Sequence, residues 1–162
     1  MRAVLKSLPQ KKVKDKTFTQ YLVYITSCLV TALENLHALN ILYRNVQPES
    51  LYVDINGRVI LADFAMSKVG VAQGERTYSV CGMYDYLAPE QVSQVGHGLS
   101  VDLWGLGVLL YELNVGTHPF AQASEVGTYN RICSFGGKSF PKLSFPDDVH
   151  HETKSLINQV RD

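Results

Sequence analysis

The chain has 162 residues, long enough for one domain with a substantial core. Lys and Arg total 15 and Asp and Glu total 15, so the formal charge is zero and there is no general pull toward nucleic acid or anionic membrane. Cys28, Cys81 and Cys133 are odd in number, far apart and without metal-ligand spacing, which suits a reduced, intracellular, cytoplasmic protein.

In chain order, residues 1 to 8 predict a helical turn or two, broken at Pro9 and followed by a basic connection with no apolar signal-peptide core. From Phe18 to Leu39, Leu22, Ile25, Leu29, Ala32, Leu33 and Leu36 recur at helical spacing, with Thr17 as the expected N-cap. Leu51 to Asp54 and Arg58 to Leu61 read as short strands around Ile55-Asn56-Gly57, because Asn-Gly favours a tight hairpin turn. Residues 66 to 82, rich in glycine and polar groups, predict a mobile loop. Ser100 is the expected cap of a strongly apolar helix that runs through Leu113 and stops at Gly116. The apolar run Leu103 to Leu113 inside it holds glycines and Glu112 and is too short to span a membrane. Shorter helices are expected near Glu125 to Ile132 and Glu152 to Val160. The sum is mainly α with one small β-hairpin.

Particular phrases carry chemistry. Tyr43-Arg44-Asn45-Val46-Gln47-Pro48-Glu49-Ser50 is followed by Asp63-Phe64-Ala65, then Arg76-Thr77-Tyr78-Ser79-Val80-Cys81-Gly82, Tyr86-Leu87-Ala88-Pro89-Glu90 and Asp102-Leu103-Trp104-Gly105-Leu106-Gly107. In this order they resemble the C-terminal lobe of a serine/threonine protein kinase, and within that family the cyclic-nucleotide-dependent kinases of the AGC group. The wording Cys81-Gly82-Met83-Tyr84-Asp85-Tyr86 is also similar to the kinase-like part of plant and protist proteins that join a phosphatase, cyclic-nucleotide-binding domains and a kinase domain. The resemblance covers residues 1 to 162 and implies a single kinase-like C-lobe fragment, because neither a G-x-G-x-x-G loop nor a V-A-I-K lysine precedes the catalytic loop.

The resemblance also implies what each position should do, and where this chain departs. The catalytic-loop proton acceptor is normally Asp; here it is Asn45, whose amide is no base near neutral pH. The lysine that neutralises the transferring phosphoryl group is replaced by uncharged Gln47, and the second-metal Asn by the shorter Ser50. Asp63 keeps the primary metal position, while Ala65 stands where glycine gives backbone freedom. Asp63 and Ser50 are therefore the candidate cofactor contacts. No cofactor is expected for this chain alone, and Mg-ATP only if an N-terminal lobe completes the domain. Arg44, Ser79 and Thr77 match regulatory positions, at which an arginine meets an activation-loop phosphate. Glu49, Asp85 and Glu112 match positions that bind substrate arginines. Asp102 is expected to bond catalytic-loop amides, Trp104 to serve the core, and Glu90 to lack its arginine partner.

Each has a plainer alternative: Asp63 as an acidic loop residue on a backbone amide, Arg44 as structural, Ser79 as one more exposed loop serine, the carboxylates as solvated surface. Two functions are weighed. One is a degenerate, inactive lobe that acts as a scaffold or regulatory module for an arginine-rich segment or cognate regulatory domains. The other is part of an ATP-dependent kinase that phosphorylates basic substrates. Neither involves nucleic acid or membrane.

Overall fold

A computed structural model of the protein describes residues 16–135, 143–147, 149 and 151–159. The turn expected at residues 1 to 8, Pro9 and the end of the last helix at Val160 lie outside them. Among the described residues no helix is long and apolar enough to cross a membrane.

The fold is mostly helical with small antiparallel ladders, as the sequence pattern predicts. Helix α1, Lys16–Ala38, buries Leu22, Ile25, Leu29 and Leu33 along one stripe, the face that helical periodicity selects. Thr17 lies inside α1 rather than capping it. The chain leaves α1 through Asn40, whose positive φ of 56° turns it sharply. The Asn40 carbonyl then accepts from the amides of Gly70 and Val71 at 2.9 and 3.0 Å.

That contact belongs to a ladder absent from the sequence expectation. Strand β1, Ile41–Leu42, pairs antiparallel with β4, Lys68–Val69. Part of the stretch expected as a mobile loop is therefore paired, and Thr77 bridges His97 further along it. Elements of this length carry no readable alternation. The expected hairpin is present as β2, Leu51–Val53, against β3, Val59–Leu61, with Leu51 opposite Leu61. Gly57 takes φ +79° at its tip, and Asp54 Oδ1 accepts from the amides of Asn56 and Arg58 at 2.8 and 2.9 Å.

Helix α2 is Pro89–Val92, α3 is Ser100–Val115, α4 is Glu125–Ser134 and α5 is His151–Gln159. Buried residues lie all round α3, so this helix is the axis of the core rather than an amphipathic surface element. Ser100 is its first residue, not its cap: Leu99 holds the cap position, and the Ser100 hydroxyl donates to Glu90 Oε1 at 3.3 Å. Glu90 is only half-buried and has that hydroxyl as a partner, so the expected orphan carboxylate does not arise. Gly116 ends α3 at φ +80°. Ser124 caps α4 by accepting from the Gly127 amide at 3.1 Å.

Ile25, Leu29 and Leu33 of α1 pack with Leu106, Leu109 and Leu110 of α3 and with Tyr43, Val46 and Leu51. A second cluster stacks Trp104 on Phe120, with ring centroids 5.3 Å apart and an interplanar angle of 13°. At Gly105 a Cβ would lie 3.1 Å from Val46 Cβ and 3.3 Å from the Val46 carbonyl, so glycine lets α3 run directly beneath the loop at 43–50.

Asp102, wholly buried on α3, fastens that loop as expected. Its Oδ2 accepts from the Tyr43 amide at 2.9 Å and its Oδ1 from the Arg44 amide at 2.6 Å. His37 of α1 donates to the same carboxylate from Nε2 at 2.7 Å. Removing the carboxylate strands two amides and an imidazole. Asp102→Ala is expected to lose about 3–5 kcal/mol, a large share of a typical domain's stability. Asp102→Asn, which keeps one acceptor oxygen, should lose less. Denaturant unfolding of the three forms checks the order.

Candidate functional site: a catalytic loop closed on itself

The Asp102 clamp forces the chain at Arg44 into left-handed backbone, φ +63°, and Asp63 across from it takes φ +56°. Neither residue is glycine, so both conformations are sparsely populated and held by their surroundings. The Tyr43 hydroxyl donates to the Ala62 carbonyl, tying the loop to the segment that carries Asp63. Burial pushes the Tyr43 phenol up to about 12, which keeps it a donor across the neutral range. Phe64 packs edge-on against the Tyr43 ring, with centroids 5.3 Å apart.

Within this frame the substituted residues bond one another. Gln47 Nε2 donates to Asn45 Oδ1 at 2.8 Å, and Asn45 Nδ2 donates to Asp63 Oδ2 at 3.1 Å. Ser50 Oγ donates to the Asn45 carbonyl at 2.6 Å and accepts from the Gln47 amide at 3.3 Å. Asn45, Gln47 and Ser50 are all buried, so such pairing is what their polar groups require. The result is a directional chain of amides, Gln47 to Asn45 to Asp63, that ends on the one carboxylate of the site.

A magnesium ion would find little here. Asp63 is exposed, but one of its oxygens is held by Asn45. The Ser50 hydroxyl is 1% exposed and committed to loop backbone, so it offers no second ligand. Among the described residues no group of three or more His, Cys, Asp or Glu side chains could hold a metal. The residues present do not fit a paired-magnesium nucleotide site.

The regulatory candidates do come together. Arg44 Nη1 donates to Ser79 Oγ at 2.8 Å and to the Ser79 carbonyl at 3.0 Å, while its Nε donates to the Met66 carbonyl at 2.7 Å. Lys68 Nζ donates to Thr77 Oγ1 at 2.6 Å, and that oxygen lies 3.3 Å from Ser79 Oγ.

The acidic candidates gather around Tyr86. Its hydroxyl donates to Glu112. Burial, that hydrogen bond and the charges of Glu112, Asp85 and Glu49 all raise its pKa, which places the three carboxylates in one field. Asp85 Oδ1 is buried with no hydrogen-bond partner among the described residues. His118 stands edge-on to Tyr86 at 5.0 Å, and burial holds its pKa down. Its Nδ1 accepts from the amides of Phe120 and Ala121 at 3.2 and 3.1 Å, so the neutral ring carries its proton on Nε2.

Sequence reasoning missed Lys68, Tyr86, His97 and His118. Lys68 had a signal: it is the only cation between Asp63 and Arg76. The others had none, because their roles come from tertiary neighbours.

Residues 3–161 match the protein kinase domain. The chain belongs to that family. It is 36% identical over 137 residues to human cGMP-dependent protein kinase 2, covering 85% of this chain and 17% of the relative. It is 37% identical over 137 residues to a cAMP-dependent protein kinase, catalytic subunit-like, of Caenorhabditis briggsae, covering 85% of this chain and 33% of the relative. The chain thus spans a third or less of the length of these relatives.

Restoring the acid alone should not repair the site. Asn45→Asp replaces the amide that now meets Asp63 Oδ2 at 3.1 Å with a second carboxylate oxygen, and position 47 has no lysine to offset it. A loss of about 1–3 kcal/mol at pH 7 is expected. One carboxyl of the pair then has a raised pKa in the folded state, so acidification protonates it and recovers stability. The gap in melting temperature between the variant and the native chain should narrow from pH 7 to pH 4.5. A gap that widens, or none at pH 7, contradicts the amide chain.

Proposed function

We propose that this protein is a catalytically silent, AGC-like kinase C-lobe that works as a regulated binding module for arginine-rich segments. The observation that carries the reading is the Gln47–Asn45–Asp63 chain, in which neutral amides stand at the base and phosphate-lysine positions and are occupied with one another and with the Asp63 carboxylate. Phosphoryl transfer relies chiefly on placed charge, and loss of a single stabilising group commonly lowers rate by ~10²-fold or more. Base, cation and second metal ligand are replaced together here.

What is retained supports binding. Glu49, Asp85 and Glu112 set a negative field around Tyr86, and carboxylates so grouped attract guanidinium groups through charge-assisted hydrogen bonds. Met83 and Tyr84, both exposed, line the same loop, and Tyr84 lies close enough to Tyr129 of α4 to influence its phenol. The occupant is an arginine-rich peptide segment, supplied by a protein partner or by cognate regulatory domains such as the cyclic-nucleotide-binding domains of the fusion proteins noted above. Ser79, beside Arg44 and Thr77, is the regulatory position.

The rival reading is the C-terminal part of an active serine/threonine kinase. The relatives' names and the retained Asp63 favour it. Labelled ATP with an arginine-rich peptide separates the two. The silent module should transfer no more label than its Asp63→Ala form, and transfer above that control sinks the proposal. The same peptide should bind weakly, lose affinity as salt rises, and bind Glu49→Gln/Glu112→Gln roughly fivefold or more less well. Equal affinity for both forms would reduce the carboxylates to solvated surface.

A further inference from the structure

The carboxylates grouped around Tyr86 have a titratable base packed against them. His118 follows the end of α3, and its ring lies between Tyr86 and Phe120, edge-on to both, with centroids 5.0 and 6.2 Å away. Its Nδ1 accepts from the amides of Phe120 and Ala121, so the ring caps its own turn only while it is neutral. The other nitrogen, Nε2, is buried and has no hydrogen-bond partner among the described residues. Asp85 Oδ1 is buried and unpartnered in the same way. Buried polar atoms are nearly always paired, so a donor and an acceptor left open on either side of one tyrosine call for a reason. Asp85 and Tyr86 face the ring from the loop before α2 and Glu112 from α3, while Glu49 of the loop at 43–50 acts on the Tyr86 phenol.

We propose that His118 is a proton switch on the arginine dock: the neutral ring leaves the carboxylates free for guanidinium groups, and the imidazolium pairs with Asp85 and excludes them. The proposal rests on reading this surface as an arginine dock, and adds the residue that regulates it. Protonation puts a hydrogen on Nδ1, which can then no longer accept from Phe120 and Ala121. The ring is released from that turn with a positive charge and two N–H donors. Asp85 Oδ1 is an unfilled acceptor within its electrostatic reach. The imidazolium and a bound guanidinium thus compete for one negative field.

The charges around the ring give the sign. Burial holds His118 below the usual histidine range, while Asp85 and Glu112 pull it up. In the free chain at pH 7 the ring is therefore neutral and the dock open. A bound guanidinium offsets the two carboxylates and adds its own charge, so the His118 midpoint must fall further. By reciprocity, protonation of the ring lowers the affinity for arginine by the same factor.

His118→Asn tests this, because its side-chain oxygen can still accept from the two amides but does not titrate. The probe is an oligoarginine peptide, titrated into both forms by calorimetry from pH 7.5 to 4.5. The ratio of affinities, His118→Asn over native, should grow roughly fivefold or more as pH falls, with the variant correcting for the carboxylates' own titration. NMR of the native His118 ring should show a midpoint lower by about 0.7 pH unit or more with the peptide bound. A constant affinity ratio, or a midpoint that the bound peptide does not move, overturns the switch. If His118→Asn does not fold, the ring midpoint of the native chain still decides. If neither form binds the peptide at pH 7.5, the dock reading fails. A lower His118 midpoint in Asp85→Asn than in the native chain then still establishes the pairing with Asp85, and an equal one overturns that as well.

Discussion

One buried carboxylate sets the geometry on which the rest depends. Asp102 reaches up from the first turn of α3 and takes the amides of Tyr43 and Arg44 together with the His37 imidazole. Three separate elements, α1, the loop at 43–50 and α3, meet on this one side chain. A buried carboxylate needs several donors to offset its desolvation, and these three supply them. The left-handed turn at Arg44 follows from that clamp, and from the turn follows the direction in which Arg44, Asn45 and Gln47 point. Gly105 lets α3 come close enough for the clamp to close.

The clamp is independent of the chemistry above it. A loop of this shape can hold charges poised for phosphoryl transfer, or it can hold neutral amides that satisfy one another. In this chain it holds the second set. Burial explains why the substitutions form a group: a buried Asn45 without Gln47 or Asp63 would leave amide groups unpaired, so each replacement makes the others tolerable. The Asp63 carboxylate is tied down by the Asn45 amide. The Arg44 guanidinium with Ser79, and the carboxylates around Tyr86, are made of other atoms and stand apart from the Gln47–Asn45–Asp63 chain.

Much of this was legible in the sequence, for identifiable reasons. The stripe of α1 and the apolar α3 declare themselves by periodicity, and the hairpin by Asn56-Gly57. The motifs located the loop, Asp63 and the Asp102 clamp. The missed features are those that depend on partners distant along the chain. Ser100 looks like a cap, but its hydroxyl is taken by Glu90. The β1–β4 ladder is too short to leave a pattern. His37 and His97 look alike as lone histidines, yet one bonds a carboxylate while the other has an unpartnered Nε2 beside a cationic pair. Asn45, Gln47 and Ser50 could be read one at a time. Their pairing into a chain of amides is a matter of side-chain direction, which spacing does not encode.

The central claim is that amides, not metal, hold the Asp63 carboxylate. Manganese is the direct probe, because it occupies magnesium sites and broadens nearby resonances. The side-chain amide signals of Asn45 and Gln47 should stay sharp and protected when millimolar manganese and ATP are added. Selective broadening of those two signals, abolished in Asp63→Ala, would show that the ion displaces the Asn45 amide and would contradict the account.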